Sequence, residues 1–459
     1  MSQSCKMTAI NLTGDELINA YIESFSNYSF KNELYAQVSL HVLFGQAISQ
    51  KVYYKMGARM IDLRTHMLLI KPQGTGKGAG YGFVSDMARR IGIGFSSLTE
   101  STDAGLIGTL ERDGKENIVI PGLLQTTDLV GMEEASPLFD YNTEFSKKNM
   151  LYMQIAMNSL WGNSCYISKR LGSEMIEFKP HASLLLLTYP PDHLVDKLLK
   201  TGFIDRLVPI FEDVTLADRL EVIKIMSEKT VSYGDTKETA KGKEELVTQS
   251  LLRIINKYRK REALKRIYIT DDIKTLMLQI IEEFSMKILD ASPKAREKLQ
   301  HFLNRLYETL LKLAIHHALL SGRENIEVKD IMYARLLYLP IWRNLIISIE
   351  SLLIIDPHER ARYHRIIRTA IEEYDRQIRK NKFVKEKDWV RRLTMLQTLQ
   401  NKWDNCSLET ADSNLKKIEK IPETTYEKFG KIAALEKDKF FERKYIGGVA
   451  YLKKIKDIK

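Results

Sequence analysis

The stretch LLIKPQGTGKG, residues 68–78, predicts the centre of the fold. Its apolar start predicts a buried strand, its glycines predict a tight turn, and an apolar pattern of helical period follows at Tyr81, Val84 and Met87. Strand, glycine loop, lysine and helix form, in this order, a phosphate-binding loop. The alternative is a glycine-rich turn that carries a lysine by chance. The predicted nucleotide-binding residues are Gly74, Thr75, Gly76, Lys77 and Gly78.

The stretch departs from the phosphate-loop consensus at two positions. The consensus has its first glycine where Lys71 stands, and it has serine or threonine where Gly78 stands. The hydroxyl of that serine or threonine normally binds Mg²⁺, so a metal site must be argued from other residues.

An acidic pair, Glu133 and Glu134, follows the apolar run at residues 129–132. A buried strand that ends in two carboxylates is typical of a Walker B strand, where one acid holds Mg²⁺ and the next activates the attacking water. Glu134 follows Lys77 by 57 residues, a spacing compatible with two strands of one α/β core. Acidic pairs are also common on surface loops, which is the alternative.

Residues 164–178 predict a hairpin whose tip carries Lys169 and Arg170. The alternative is a surface hairpin whose charges face water. An apolar strand then ends at Thr188, whose hydroxyl is placed to touch a γ-phosphate or its water.

Arg206 stands between two apolar runs. Arginine in this setting is either a structural ion-pair residue, with Asp205 as its partner, or a charge aimed at the phosphate of a neighbouring subunit. The sequence leaves both interpretations open.

The composition is that of a soluble globular chain of roughly two to four domains. The three cysteines are far apart and form no CxxC pair, which predicts neither a disulfide framework nor a zinc site and suits the cytoplasm. The late apolar stretch 339–355 contains Arg343 and Glu350, so it predicts a buried helix and no membrane association. His316 and His317 are expected to be helix-packing residues.

The excess of positive over negative charge lies in the C-terminal residues 376–459. Residues 376–459 contain 22 Lys and Arg against 12 Asp and Glu, which gives ten of the net charge of +11. Such a basic module predicts a polyanionic partner, most often nucleic acid, although solvated lysines on a helical surface are the alternative.

Three helical patterns, at 390–403, 408–418 and 424–435, precede a predicted hairpin around Gly447-Gly448. Three helices and a basic hairpin form the order of a winged helix, which binds DNA or docks onto proteins. The predicted DNA-binding residues of this module are Lys428, Lys431, Arg443 and Lys444.

These motifs, in this order, resemble the AAA+ ATPases of helicase type. The resemblance is closest to the minichromosome maintenance (MCM) replicative helicases and related ATPases of prophages, plasmids and viruses, and covers roughly residues 40–340. Arg305 and Glu308 match the Arg and Glu of the family's lid helix. The segments 188–192 and 202–206 are similar to a motif of the mobile-element ATPases.

The resemblance implies an α/β fold with a P-loop AAA+ ATPase core, a helical N-terminal lead-in, an α-helical lid and a C-terminal winged-helix domain. The expected domains are the lead-in at 1–60, the core at 61–226, a polar linker or loop at 227–246, the lid at 247–375 and the basic winged-helix domain at 376–459.

The resemblance also implies roles for single residues. Lys77 would bind the phosphates, Glu133 would hold Mg²⁺ directly or through water, and Glu134 would activate the hydrolytic water. The remaining roles are Thr188 as first sensor, Arg206 as an arginine finger acting in trans, Arg305 as second sensor, and Lys169 and Arg170 as DNA-phosphate contacts in a central channel.

Three positions depart from the family pattern. Gly78 lacks the metal-binding hydroxyl, Glu133 replaces the usual Asp, and Thr188 replaces the common Asn. These departures imply slow turnover, or ATP binding that serves mainly to assemble the ring.

The implied function is that of an ATP-dependent DNA helicase or translocase in the replication of a mobile genetic element, with ATP and Mg²⁺ as cofactors. The implied assembly is a homo-hexamer on single- or double-stranded DNA, and any primase or initiator activity would come from a partner. Two alternatives remain: a DNA-bound AAA+ initiator or regulator with slow ATP hydrolysis, and a non-enzymatic DNA-binding protein with a degenerate nucleotide site.

Overall fold

The computed structural model divides into two compact units, Met1–Ile354 and Ile355–Lys459. In the first unit it describes residues 12–99, 102–113, 116–139, 144–171, 174–189, 202–212, 214, 216–231, 236–289 and 291–353. In the second it describes residues 369–370, 372–377, 390–391, 395, 397–399, 419–420, 441–446 and 449–454.

Helices and strands alternate along the first unit. Its helices are α1 (Gly14–Ser26), α2 (Glu33–Ile48), α3 (Lys77–Arg90), α4 (Asp103–Ile107), α5 (Leu123–Thr126), α6 (Ser136–Phe139), α7 (Glu144–Ala156), α8 (Leu216–Val231), α9 (Thr236–Arg259), α10 (Asp271–Leu289), α11 (Pro293–Leu320) and α12 (Val328–Leu353). Its strands are β1 (Val52–Met56), β2 (Arg59–Asp62), β3 (Met67–Ile70), β4 (Phe95–Ser97), β5 (Gly108–Asp113), β6 (Glu116–Pro121), β7 (Leu129–Met132), β8 (Ile167–Leu171), β9 (Glu174–Phe178), β10 (Ser183–Thr188), β11 (Val208–Phe211) and β12 (Lys265–Ile267).

A five-stranded, all-parallel sheet in the order β11-β3-β10-β7-β4 forms the centre of this unit. Every residue of β3, β7 and β10 is buried, as expected for parallel strands that are covered on both faces. The chain is therefore a mixed α/β protein. In the register of the sheet Thr188 lies opposite Ile70, and Leu186 lies opposite Met132. The segments that follow β3, β7 and β10 thus leave the same edge of the sheet.

The predicted helical lead-in is confirmed for α1 and α2 and is wrong at its end. Residues 52–60 form β1 and the start of β2, which pair antiparallel, while β1 pairs in parallel with β12. Val52, Tyr53 and Tyr54 favour a strand there, and Gly57 makes the turn with a φ of 61°.

The predicted polar linker at 227–246 is wrong where the structure describes it. α8 continues to Val231 and α9 begins at Thr236. Lys, Glu and Ala favour helices, so a polar composition of this kind is compatible with a helix as well as with a loop.

The predicted buried helix at residues 339–355 is confirmed within α12, where Trp342, Leu345 and Ile349 are buried. Among the described residues, no helix has both the length and the apolar character needed to span a membrane. His316 and His317 pack inside the unit, as predicted, and His316 Nε2 lies 2.8 Å from the carbonyl oxygen of Leu63.

His317 joins α1 to the carboxylate at the start of α12. Its Nδ1 lies 2.6 Å from Asp330 Oδ1, and its Nε2 lies 2.9 Å from Asp15 Oδ1. Arg323 donates two further hydrogen bonds to Asp330. Burial alone would lower the pKa of His317, but the bonds to Asp330 and Asp15 outweigh burial and raise the pKa above its usual value.

We expect His317→Gln to lower the free energy of unfolding by about 1–3 kcal/mol near pH 6 and by less near pH 8.5. Because the folded-state pKa is raised, protonated His317 stabilises the fold fully below its unfolded pKa. That contribution is lost as pH rises through the folded pKa. Chemical unfolding of the natural protein and of His317→Gln, followed by circular dichroism, measures the difference between their free energies of unfolding. The titration of the other histidines cancels in this difference. A difference that does not change with pH would contradict the prediction.

The second unit contains a four-stranded sheet in the order β13-β16-β15-β14, formed by β13 (Val390–Arg391), β14 (Glu419–Lys420), β15 (Phe441–Ile446) and β16 (Val449–Lys454). The predicted terminal hairpin is confirmed, since β15 and β16 pair antiparallel. The helix predicted from residue 390 begins later, because Val390 and Arg391 pair with β16. This tertiary pairing overrides the helical pattern of the sequence.

The winged-helix domain stays a prediction, because its proposed recognition helix at 424–435, with Lys428 and Lys431, lies outside the described residues. Arg443 and Lys444 lie on β15. The lid was predicted to end at residue 375, whereas the structure separates its two units after Ile354.

Candidate nucleotide-binding site

The segment between β3 and α3, residues 71–76, is called the glycine loop here. Gly74 and Gly76 adopt φ angles of 70° and 79°, a conformation that residues with a side chain rarely adopt. Thr75 Oγ1 donates a hydrogen bond of 2.7 Å to the carbonyl oxygen of Pro72, which closes the turn. Lys77 is the first residue of α3, so the helix N-terminus and its partial positive charge face the loop.

Lys77 is turned onto the glycine loop. Its Nζ donates to the carbonyl oxygens of Lys71, at 2.7 Å, and of Thr188, at 2.9 Å. The ammonium group also lies 3.8 Å from the centre of the Tyr189 ring. Burial lowers the pKa of Lys77 to about 8, and the charge of Glu134 opposes this shift only in part. The amine is therefore protonated at neutral pH, and it loses its charge as the pH rises through its pKa of about 8.

For the ATP site that the sequence predicts, we expect the affinity to fall as pH rises above about 8, by up to tenfold per pH unit, because a phosphate anion would bind the protonated lysine. Lys77→Ala should abolish binding at every pH, since the glycines position the phosphates but the lysine supplies the full charge. Titration of a fluorescent ATP analogue from about pH 6.5 to about pH 9.5 measures both effects. An affinity that does not change over this range would show that Lys77 does not carry the binding.

Glu133 and Glu134 follow β7 directly, as predicted. Glu134 Oε1 accepts hydrogen bonds from Thr188 Oγ1, at 3.2 Å, and from the backbone N–H of Ser136, at 3.0 Å. Its second oxygen, Oε2, is buried and has no hydrogen-bond partner among the described residues. One oxygen of Glu134 therefore fixes the carboxylate, and the other is free to accept a proton.

The glycine loop and the acidic pair line one cavity of about 400 Å³, together with Ser97, Leu98, Thr99 and Tyr189. A second cavity of about 300 Å³ adjoins it, because Gly74 and Thr75 line both. The second cavity lies between Phe30, Val214, Asp218, Arg219 and Asn344, among others. Cavities of this size hold small molecules and cofactors. Phosphates at the glycine loop would leave the second cavity for the rest of a nucleotide.

The loop between α1 and α2 donates hydrogen bonds to the backbone of the glycine loop. The sequence did not indicate this contact. Ser29 Oγ donates to the carbonyl oxygen of Gly76, at 2.7 Å, and Asn32 Nδ2 donates to that of Thr75, at 3.0 Å. The Lys71 amine donates to Asn32 Oδ1 and forms an ion pair with Glu212. Lys71, which replaces the first glycine of the consensus, thus anchors the loop, and it lines the second cavity and not the 400 Å³ cavity.

Arg206 and Arg305 lie together but away from the glycine loop of their own chain. Both line a small cavity of about 30 Å³ that shares no lining residue with the 400 Å³ cavity. Arg206 donates to the carbonyl oxygen of Gly202 and, at 3.5 Å, to Asp205, while its buried Nε has no partner in the part of the chain that the structure describes. Burial, and then the charge of Arg305, lower the pKa of Arg206. The predicted pair of Arg206 with Asp205 is present, but it does not involve the Nε of the guanidinium group.

Lys169 and Arg170 lie on β8, which pairs with β9 in the predicted hairpin. The Lys169 amine forms an ion pair of 2.9 Å with Asp103 at the start of α4, which lowers the pKa of that carboxyl group. Arg170 is exposed. The hairpin is confirmed, and its role in DNA binding stays a prediction.

The structure thus brings together the five residues of the phosphate-loop prediction, both carboxylates and Thr188, and it places the two arginines elsewhere. Comparison with known proteins adds no relative, since no protein-family model matches this chain and no curated protein matches it significantly. What this site does must therefore be argued from its geometry.

Proposed function

We propose that the protein is an ATP-dependent DNA helicase or translocase of the AAA+ type, which acts as a ring in the replication of a mobile genetic element. The observation that carries the proposal is that Lys77 and Glu134 line one cavity, on the edge where β3, β7 and β10 end, and that the buried Thr188 forms hydrogen bonds to both of them. Ligands of open α/β sheets bind outside the carboxyl ends of the strands, at this kind of edge.

The position of β10 between β3 and β7 supports the sensor role of Thr188. Its carbonyl oxygen contacts the Lys77 amine, and its hydroxyl contacts Glu134. A group placed in this way touches both the phosphate-binding and the water-activating residue. Threonine supplies a hydrogen-bonding side chain for this role, where the ATPases that the sequence resembles commonly have asparagine.

Hydrolysis needs three actions of these residues. The Lys77 amine leaves the carbonyl oxygens of Lys71 and Thr188 and binds the β- and γ-phosphates, with which the backbone N–H groups of the glycine loop also bond. Glu134 orients a water with Oε2 and accepts its proton as the water attacks the γ-phosphorus. The bond from that phosphorus to the β–γ bridging oxygen breaks, and ADP leaves. Mg²⁺, when bound, neutralises charge on the phosphates, and Glu133 is the residue placed to hold it.

The positions of Arg206 and Arg305 support a site that two subunits complete. Both are absent from the lining of their own chain's 400 Å³ cavity, yet their side chains are 19% and 38% exposed. An arginine that acts on the phosphate of a neighbouring subunit has to lie outside its own site and near the surface. We therefore propose a closed homo-oligomer, and a hexamer as its form.

DNA binding rests on the charges of the hairpin β8–β9 and of residues 376–459. Phosphate contacts by lysine and arginine make such binding sensitive to salt.

An ATPase assay with and without single-stranded DNA, at two salt concentrations, tests the proposal. Strong stimulation by DNA supports the motor. Slow turnover without stimulation would favour a DNA-bound initiator or regulator, and no turnover would favour a structural DNA-binding protein.

A further inference from the structure

Gly78 and Glu133 are in direct contact. A Cβ atom placed on Gly78 would lie 2.3 Å from Oε1 of Glu133 and 3.4 Å from its carboxyl carbon. Atoms without a bond between them do not approach this closely, so the present position of Glu133 requires glycine at position 78. Both residues line the 400 Å³ cavity beside Lys77.

The backbone gives no other reason for glycine at this position. Gly78 is the second residue of α3, and its φ is not positive, unlike that of Gly76 two residues earlier. Glycine inside a helix costs roughly 1 kcal/mol relative to alanine. In the same helix, a Cβ on Gly80 would lie 2.6 Å from the ring of Phe25, whereas no described atom lies within 4 Å of a Cβ on Gly82. Gly78 is thus the glycine of this helix that makes room for a carboxylate.

We propose that Glu133 and Gly78 together replace the usual pair of ligands, an aspartate and a hydroxyl, and that the Glu133 carboxylate binds Mg²⁺ directly from the place of the missing hydroxyl. This inference rests on the proposed nucleotide site. Glutamate is longer than aspartate by one methylene, which carries its carboxylate to the first turn of α3. A serine or threonine at position 78 would need the same space. Gly78 in place of serine or threonine and Glu133 in place of aspartate are therefore coupled substitutions that together keep a Mg²⁺ ligand.

The residues present fit a magnesium ion. Mg²⁺ is commonly held by one or two carboxylates and the substrate phosphates, and it keeps several waters. Among the described residues there is no cluster of three or more His, Cys, Asp and Glu that could hold a metal by itself. Glu133 and the nucleotide phosphates would together form a Mg²⁺ site of carboxylate and phosphate ligands. Such a site forms only when nucleotide is bound.

The test measures the affinity for a fluorescent ATP analogue with Mg²⁺ and with EDTA, and it requires no turnover. In the natural protein Mg²⁺ should strengthen binding at least tenfold. Gly78→Ser should lose this gain, because its side chain displaces Glu133, and Glu133→Asp should lose it because its carboxylate is too short. The double variant Gly78→Ser/Glu133→Asp restores the usual ligand pair and should recover the gain to within about threefold.

Matched variants separate the causes. Gly78→Ala/Glu133→Asp has the space but no hydroxyl, and it should not recover the gain. Gly82→Ala should behave as the natural protein, because nothing lies near that position. The affinity in EDTA is measured for every variant, and the Mg²⁺ effect is the ratio of the two affinities of the same variant, so a direct effect of a substitution on the glycine loop cancels. If Gly78→Ser perturbs binding in EDTA, Glu133→Asp alone still tests the direct contact.

Two results would overturn the inference. One is a full Mg²⁺ effect in Glu133→Asp, and the other is a double variant no better than the weaker single variant. Neither result affects the proposed nucleotide site, which fails only if the natural protein does not bind the analogue. Electron paramagnetic resonance with Mn²⁺ gives a second readout, since loss of a direct carboxylate ligand changes the spectrum of the bound ion.

Discussion

Glu134→Gln should bind ATP normally and hydrolyse it more slowly by a factor on the order of 10² to 10⁴. Glutamine keeps the shape of the side chain and the oxygen that accepts from Thr188 and Ser136. It loses the basicity of the unpartnered Oε2, which is the atom placed to take the proton of the water. Phosphate release measured under saturating ATP, together with the affinity of a fluorescent analogue, separates the two effects.

Asp128→Asn is the control for this experiment. Asp128 stands just before β7, at the end of the strand opposite Glu134. It accepts from the backbone N–H of Gly94, at 2.8 Å, and contacts His181, at 3.1 Å. Its substitution should affect stability and leave the hydrolysis rate per folded molecule unchanged. Normal hydrolysis by Glu134→Gln would show that the acidic pair is assigned the wrong role.

Arg206→Ala should bind ATP almost normally and slow its hydrolysis on the order of 10³-fold, within the range of arginine fingers. The reason is that the Arg206 guanidinium, in the proposed ring, stabilises the negative charge of the transition state in the neighbouring site. If the contact with Asp205 is instead its whole function, the substitution destabilises the fold and leaves the activity of folded molecules unchanged.

Mixing decides between these interpretations. Arg206→Ala and Lys77→Ala subunits are each expected to be inactive alone. In mixed rings, some sites combine an intact Lys77 with an intact Arg206 from the next subunit, so partial recovery of hydrolysis is expected. Absence of recovery in rings whose assembly is confirmed by sizing would exclude a trans-acting Arg206.

The parts of the site that the sequence predicted are those encoded over short distances. The glycines of residues 68–78 predict a turn because Gly74 and Gly76 need positive φ angles, and the apolar run before Glu133 predicts a buried strand. The hairpin that carries Lys169 and the hairpin at the end of the chain follow from the same kind of local pattern.

The parts that it missed depend on contacts between distant residues. Ser29 and Asn32 reach the glycine loop across 47 and 43 residues, and no motif marks them. The only local signal was their place in a short break between two helical patterns. The linker error has a different cause, because polarity distinguishes exposed from buried residues and not loops from helices. The neighbourhood of Arg206 and Arg305 was likewise visible only in the folded chain.

The anchoring of the glycine loop by Ser29 and Asn32 also limits how this protein can exchange parts with others during evolution. A strand, its loop and the following helix look like a cassette that recombination could move as one piece. Here these three elements depend on the turn between α1 and α2, which forms hydrogen bonds with the glycine loop. A chimera with a foreign N-terminal segment would keep Lys77 and both carboxylates, yet it would inherit a loop without its support. The first fifty residues and the glycine loop are thus expected to be inherited together.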